Sequence, residues 1–382
     1  MSTPAEGVHA PPLRAAVRLP PLPLAAGLVA ATLFAGFDAY TVAGVWLTQP
    51  QIADFGLYYS AARVGLAHGW TAMYDPGLYF PALHALGRSD WSPFLNPPYA
   101  AWLVLPVAWL PYPFAMAAWM AFTTAAFALV WWLSAPGDRA QRALHLALAI
   151  GLFPVAMAIY HGQTLLIVVL GVAGCVWLAR RDRPWLAGLV LAAVIVKPQL
   201  AYLVPLTLLV AGRGRVVAAF IVTVCLLLAV AIAALGPGGA LIYLKTLTTV
   251  DVPYATAYLT ALLGPGAARL AGLLAAVIAC TAAWRWRDRY EVPVAAGLLA
   301  SLLSTPYGNE YDLVVVLLAG WLVLRAQPAA WPLLLAGWPA LEFINVVGPL
   351  PAVLFEIAFL VALAALPRPP AQVSAPGPVR SW

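Results

Sequence analysis

Charge is what this chain of 382 residues has least of. Asp, Glu, Lys and Arg make up 9% of it, where a soluble domain carries about 25%. Apolar types reach 64%, and that balance excludes an ordinary soluble fold. The run Val216–Leu235 contains no Asp, Glu, Lys or Arg, and a bilayer crossing takes about 20 apolar residues. Backbone groups in lipid must be satisfied within the protein, which leaves helices or a closed barrel. The apolar runs here are continuous rather than alternating, which argues against the barrel. The sequence therefore specifies an all-α, polytopic transmembrane protein with about 10–13 membrane helices, short or re-entrant ones included.

Cysteine is nearly absent. Cys175, Cys225 and Cys280 all fall inside apolar runs and read as small buried hydrophobes, without disulfide or metal spacing. No Walker loop, GxGxxG turn, HExxH or CxxC occurs. A nucleotide-driven cytosolic reaction has no support, and neither a metal nor a cofactor is expected. The N-terminus lacks a short apolar segment with a small-residue cleavage site, so the first apolar run is expected to remain as an anchor. The formal net charge of +6 does not indicate nucleic acid. The arginines lie in short clusters between apolar runs, the pattern of topology determinants rather than of a phosphate-tracking face.

The first span is expected near 22–47, after a disordered cytoplasmic tail over 1–20. A polar and aromatic segment follows over 48–93, read as the first extracytoplasmic loop with short interfacial helices. It holds Asp54, Arg63, Asp75, Arg88 and Asp90. Later apolar runs lie near 95–112, 113–134, 142–160, 163–179, 185–211, 216–235, 259–281, 292–304, 312–326, 329–345 and 349–366. They close a single membrane domain over 21–366, and a disordered tail follows over 367–382. The clusters Arg139/Arg142, Arg180/Arg181/Arg183, Arg213/Arg215, Arg285/Arg287/Arg289, Arg325 and Arg368 should share the cytoplasmic side. Both ends of 185–211 then carry cytoplasmic charge. A hairpin broken at Lys197-Pro198-Gln199 resolves that, and proline at the bend favours the break. By the same parity, 95–112 and 113–134 cannot both cross.

Polar residues gather on the opposite, outward side: Asp54, Tyr58, Tyr59, Asp75, His161, Gln163, Lys197, Gln199, Asp251, Tyr254, Asn309, Glu310, Tyr311 and Asp312. Ionisable groups held in or near lipid are costly and are usually functional or paired. Asp54 suits a helix N-cap or a general base. Asp75, before Pro76, fits a turn. Lys197 is one of two lysines in the chain and sits within an apolar run. It suits a phosphate, an ion pair with a nearby Asp, or snorkelling to the headgroups. Glu310 and Asp312 fit a helix start, or, with Asn309 and Tyr311, a sugar-recognition surface. Asp38 and Arg269 lie inside apolar runs and either pair with other groups or line the site.

Four blocks in order resemble glycosyltransferase family 87. They are Ala53-Asp54-Phe55 with Tyr58-Tyr59, Ala61-Ala62 and Tyr74-Asp75-Pro76; Asn96-Pro97-Pro98-Tyr99 with Leu105-Pro106 and Leu110-Pro111; Gly162-Gln163 with Arg180-Arg181, Gly188 and Lys197-Pro198; and Ser304-Thr305-Pro306-Tyr307 with Tyr311-Asp312. In the last block Thr305 separates Ser304 from Pro306. The resemblance extends over roughly 30–330. It implies a GT-C-type membrane enzyme of the bacterial inner (plasma) membrane, multi-pass, with its site facing outward. Such an enzyme transfers mannose from a polyprenyl-phosphate sugar, with inversion, to a lipid or glycan acceptor. It implies Asp54 as general base and Lys197 as donor-phosphate ligand. Arg63 would assist at the phosphate. Tyr58, Tyr59, His161, Gln163, Gln199, Asn309, Tyr311 and Asp312 would bind substrate. The implied partners are the bilayer, the lipid-linked donor as co-substrate and the acceptor. The competing class is a transporter or lipid flippase, where broken helices also occur. Against it stand the lack of an inverted repeat and the clustering of polar groups at one interface.

Overall fold

The computed structural model describes residues 21–48, 53–88, 92–249, 258–306 and 308–365. The two tails, with Asp90, Asp251, Tyr254, Tyr307 and Arg368, lie outside them. Among the described residues every regular element is helical and there is no strand. The helices in order are α1 (Pro21–Thr48), α2 (Phe55–His68), α3 (Pro76–His84), α4 (Pro98–Val104), α5 (Tyr112–Ser134), α6 (Arg139–Ile150), α7 (Phe153–Tyr160), α8 (Leu165–Ala179), α9 (Pro184–Leu191), α10 (Val204–Val210), α11 (Gly214–Thr249), α12 (Tyr258–Leu263), α13 (Pro265–Arg285), α14 (Glu291–Ser304), α15 (Val314–Ala326), α16 (Trp331–Glu342), α17 (Ile344–Val347) and α18 (Leu350–Ala365). Many begin with proline in the first turn, including α3, α4, α5, α9 and α13. Proline is favoured there because its missing N–H would have no helical partner and its φ is already helical.

Four described helices are long and apolar enough to cross a membrane: α1, α5, α11 and α13. The pair α6 and α7, bent by 66°, makes a fifth if counted as one span. Shorter apolar helices such as α8 and α14 have 15 and 14 residues. At 1.5 Å per residue they span only about 20 Å, and they lie inside the bundle rather than against lipid. Residues Glu291–Leu303 of α14 are all buried, with α13, α15, α10 and α18 packed around them.

The arginine clusters do share one end. Arg325 donates to the Leu133 carbonyl. Arg180 pairs with Glu291 at 2.6 Å. Arg213 donates to the Arg287 carbonyl at 2.8 Å, and Arg142 to that of Trp132 at 2.5 Å. These contacts tie the end of α15 to that of α5, and the ends of α5, α8 and α13 to the starts of α6, α14 and α11.

Two topological questions resolve. The run 95–112 forms only the seven-residue α4 and a set of turns, so 113–134, as α5, is the crossing. Its turns are held by α2, where Tyr59 donates to the Leu110 carbonyl at 2.7 Å. The run 185–211 is a hairpin. The chain tightens into a 3-10 turn over Ala192–Val196, breaks at Lys197 and returns through Pro198–Leu200 into α10. Both feet stand at the arginine end: Gly188 lies against Val216 and Phe220 of α11, and Arg213 against Arg287. A Cβ at Gly188 would sit 2.2 Å from the Val216 carbonyl oxygen and 2.5 Å from Ala219 Cβ. Gly188→Val should therefore force α9 from α11, at a cost of about 1–3 kcal/mol. The expected readout is a lower melting temperature of the purified protein, and unchanged melting would contradict this packing.

Carboxyls also lie inside the bundle. Asp38 on α1 and Glu356 on α18 are fully buried, and Glu342 on α16 accepts from the Phe153 N–H at 2.7 Å. Arg269, near the start of α13, is exposed.

Candidate active site

The end opposite the arginines is built around Asp54. Asp54 immediately precedes α2, yet its carboxylate makes no capping bond to that helix. It accepts instead from the Gln163 side-chain amide and from the Tyr311 hydroxyl at 3.0 Å. Asp75 behaves in the contrary way: its carboxylate caps α3 by accepting from Gly77 N at 2.8 Å. Two aspartates that look alike in sequence thus divide into one that caps and one left for other work.

The backbone around Asp54 is fixed from both sides. Arg88 donates to the Ala53 carbonyl at 2.8 Å, and Phe55 N donates to the His161 carbonyl at 2.9 Å. The turn His161-Gly162-Gln163 links α7 to α8. Gly162 has φ +61°, and a Cβ there would meet Trp119 and Phe55 at 2.9 and 3.0 Å. The Trp119 indole donates to the Gly162 carbonyl at 2.7 Å, which aims Gln163 at Asp54. Gly162→Ala combines a strained φ with a clash. It should lower catalytic turnover while leaving the protein inserted, measured as activity per mole of purified protein. Full activity would contradict the role given to this turn.

Lys197, at the hairpin bend, is buried. Its ammonium donates to Asp312 at 2.5 Å and to the Gln163 side-chain oxygen at 3.4 Å, and lies 4.7 Å from the centre of the Tyr311 ring. The buried cation is therefore compensated by a carboxylate, which is the ion-pair alternative read from the sequence. Asp312 also accepts from Asn309 N at 3.0 Å, and the Asn309 side chain donates to the Tyr311 hydroxyl at 2.6 Å. A continuous network therefore runs Asp54–Gln163–Lys197–Asp312–Asn309–Tyr311 and back to Asp54. Burial, then the Asp54 carboxylate, push the Tyr311 phenol well above its usual pKa, so it stays a donor to Asp54. Tyr58 donates to Gln163 at 3.3 Å, and burial likewise raises its pKa.

The Asp54 side chain keeps 22% of its surface exposed and that of His161 12%. The His161 Nδ1 lies 3.9 Å from Asp54, beyond hydrogen-bond distance. It has no hydrogen-bond partner among the described residues. The site thus offers one accessible carboxylate, one imidazole without a bond at Nδ1 and one buried cation.

Of the expected site residues, Asp54, Tyr58, His161, Gln163, Lys197, Asn309, Tyr311 and Asp312 come together. Tyr59 and Arg63 do not. The Tyr59 hydroxyl holds Leu110. Arg63 is exposed and donates to the Ala108 carbonyl at 3.3 Å. Phe55, Tyr59 and Arg63 recur every fourth residue and so share a face of α2, roughly 100° from Tyr58. Gln199 is half-buried in the turn after Lys197. Arg88 was not among the expected site residues: a loop arginine ordinarily lies on the surface, whereas here it is 7% exposed and anchors Ala53. Among the described residues no three His, Cys, Asp or Glu side chains gather as a metal site.

A partly exposed carboxylate held at one end of a helical membrane bundle by an interhelical network marks a functional site. The sequence model of glycosyltransferase family 87 matches residues 94–306, more than half of the chain, and the protein belongs to that family. No curated protein and no solved structure matches it. It is a multi-pass membrane glycosyltransferase. The matched segment contains His161, Gln163 and Lys197; Asp54, Asn309, Tyr311 and Asp312 lie outside it and join it through the hydrogen bonds above.

Proposed function

We propose that the protein transfers a hexose, mannose, from a polyprenyl-phosphate donor to a hydroxyl of a lipid or glycan acceptor on the outer face of the plasma membrane. The observation that carries this reading is the Asp54 carboxylate. It is oriented by Gln163 and Tyr311, partly exposed, and released from capping its own helix. As the acceptor oxygen attacks C1 of the sugar, Asp54 takes the hydroxyl proton. The bond from C1 to the phosphate oxygen breaks, and the lipid phosphate leaves with the electron pair. Attack opposite the leaving group inverts the anomeric centre.

The phosphate is already a good leaving group, so an acid is not required. A cation facing it lowers the barrier electrostatically. An ammonium has three N–H donors, and Lys197 uses two, on Asp312 and Gln163. The third meets the phosphate, while Asp312 stays as counter-ion. His161, beside Asp54 and 12% exposed, lines the acceptor side. Arg88 and Gly162 are positioning residues, acting through Ala53 and Gln163. The positive-inside rule supports the outward orientation of the Asp54 end.

Membranes containing the protein, supplied with labelled polyprenyl-phosphate mannose, polyprenyl-phosphate glucose or GDP-mannose, test the donor. Label should move from the lipid-linked mannose at least about tenfold faster than from the others. Equal or faster transfer from GDP-mannose would overturn the lipid-donor reading.

A further inference from the structure

Helices α5, α8 and α15 run from the neighbourhood of Asp54 to a second polar region, and α14 runs back from it. The region is marked by Ser134, Arg180, Arg325 and Glu291 at the far ends of these helices. They have 13 to 23 residues, so the two regions stand about 20 Å or more apart. There a cavity of about 330 Å³ is lined by Ser134, Trp177, Arg180, Arg181, Leu322 and Arg325, among others.

Three guanidinium groups face this cavity, and among the described residues one carboxylate, Glu291, pairs with them. Arg142 is close enough to repel Arg325 as well. Part of the arrangement has an ordinary explanation, because basic side chains bond the last carbonyls of helices. Arg325 does so at Leu133 and Arg181 at Trp177, 3.4 Å away. Arg181 also stacks on the Trp177 ring, 3.6 Å from its centre. Such capping uses one donor of the five on each guanidinium. The remaining donors and the excess positive charge have no counterpart among the described residues.

Ser134 is a second, independent sign. It lines the cavity, is 1% exposed, and its hydroxyl has no hydrogen-bond partner among the described residues. A buried hydroxyl without a partner is costly, and one in the wall of a cationic cavity suits an anionic oxygen. Arginine forks bind phosphoryl oxygens in pairs, and basic pockets between membrane helices take up anionic lipid headgroups.

We propose that this cavity is a phosphate-binding site, remote from Asp54, for the phosphate of an anionic phospholipid or for a free phosphate ester. Arg181 and Arg325 supply the charge and Ser134 a hydroxyl donor. Nothing in it depends on the transfer reaction.

The test uses the full-length protein purified in detergent and stripped of lipid. Native mass spectrometry measures retention of phosphatidylglycerol against phosphatidylcholine, and calorimetry measures binding of inorganic phosphate. The expected result is at least tenfold preference for phosphatidylglycerol, reduced at least tenfold by Arg181→Gln and by Ser134→Val. The valine variant removes the hydroxyl with every arginine intact, and so decides the matter should an arginine variant fail to fold. Phosphate binding without lipid preference, lost in the same variants, upholds the site and identifies its ligand as soluble. No preference and no phosphate binding, or binding untouched by both variants, overturns it.

Discussion

Asp54→Asn should leave the protein folded and inserted and lower sugar transfer by a factor on the order of 10²–10⁴, the range a positioned general base contributes. Asparagine has the same shape. Its amide oxygen can still accept from Tyr311, while its NH₂ group cannot take the acceptor proton. Two companion variants separate chemistry from structure. Asp75→Asn alters only the cap on α3, worth about 1 kcal/mol at most, and should transfer sugar as the wild type does. Tyr311→Phe removes one of the two donors to Asp54 and should cost about tenfold. Transfer is measured with labelled donor in proteoliposomes, and insertion by protease protection of the same vesicles. If Asp54→Asn transfers at the wild-type rate, Asp54 is not the base.

Lys197→Met should destabilise the protein by about 3–5 kcal/mol, because it strands Asp312 in the interior without its partner. The side chains of the pair are 8% and 1% exposed, so water cannot take over the lost role. Asp312→Leu should cost a similar amount for the converse reason. The double variant K197M/D312L removes both charges, and buried pairs replaced by apolar groups are often no less stable than the original. Its melting temperature should therefore lie above that of either single variant. Its transfer activity should remain absent, since Lys197 is assigned to the leaving phosphate. A double variant that recovers stability and activity together would reduce Lys197 to a structural residue.

Much of this architecture was legible in the sequence, and for definite reasons. Arginine resists burial in lipid, so the clusters marked one face, and contacts such as Arg180–Glu291 and Arg213–Arg287 draw those clusters together. The hairpin at Lys197 followed from cytoplasmic charge at both of its feet. The short helices inside the bundle were harder to read. An apolar run of 14 residues, such as α14, carries no mark saying whether it meets lipid or other helices. The site was legible in its membership more than in its wiring. Asp54 and Asp75 both precede helices, and only the fold separates the capping carboxylate from the free one. The Lys197–Asp312 bond joins residues 115 apart in sequence, a pairing that no local pattern records. Tyr59 and Arg63 were drawn in by their nearness to Asp54 in the chain, but helical rotation turns them toward Leu110 and Ala108. Arg88 gave no signal beyond its type, because its burial comes from the packing of the 53–88 segment.

The central claim is that a network around Asp54 transfers a sugar from a lipid phosphate in one inverting step. A single turnover by the purified protein with a β-linked polyprenyl-phosphate mannose, followed by NMR of the product's anomeric linkage, tests it most directly. The expected product is α-linked, formed by the wild type and not by Asp54→Asn. A β-linked product, or an α-linked product formed equally by both proteins, would contradict the account.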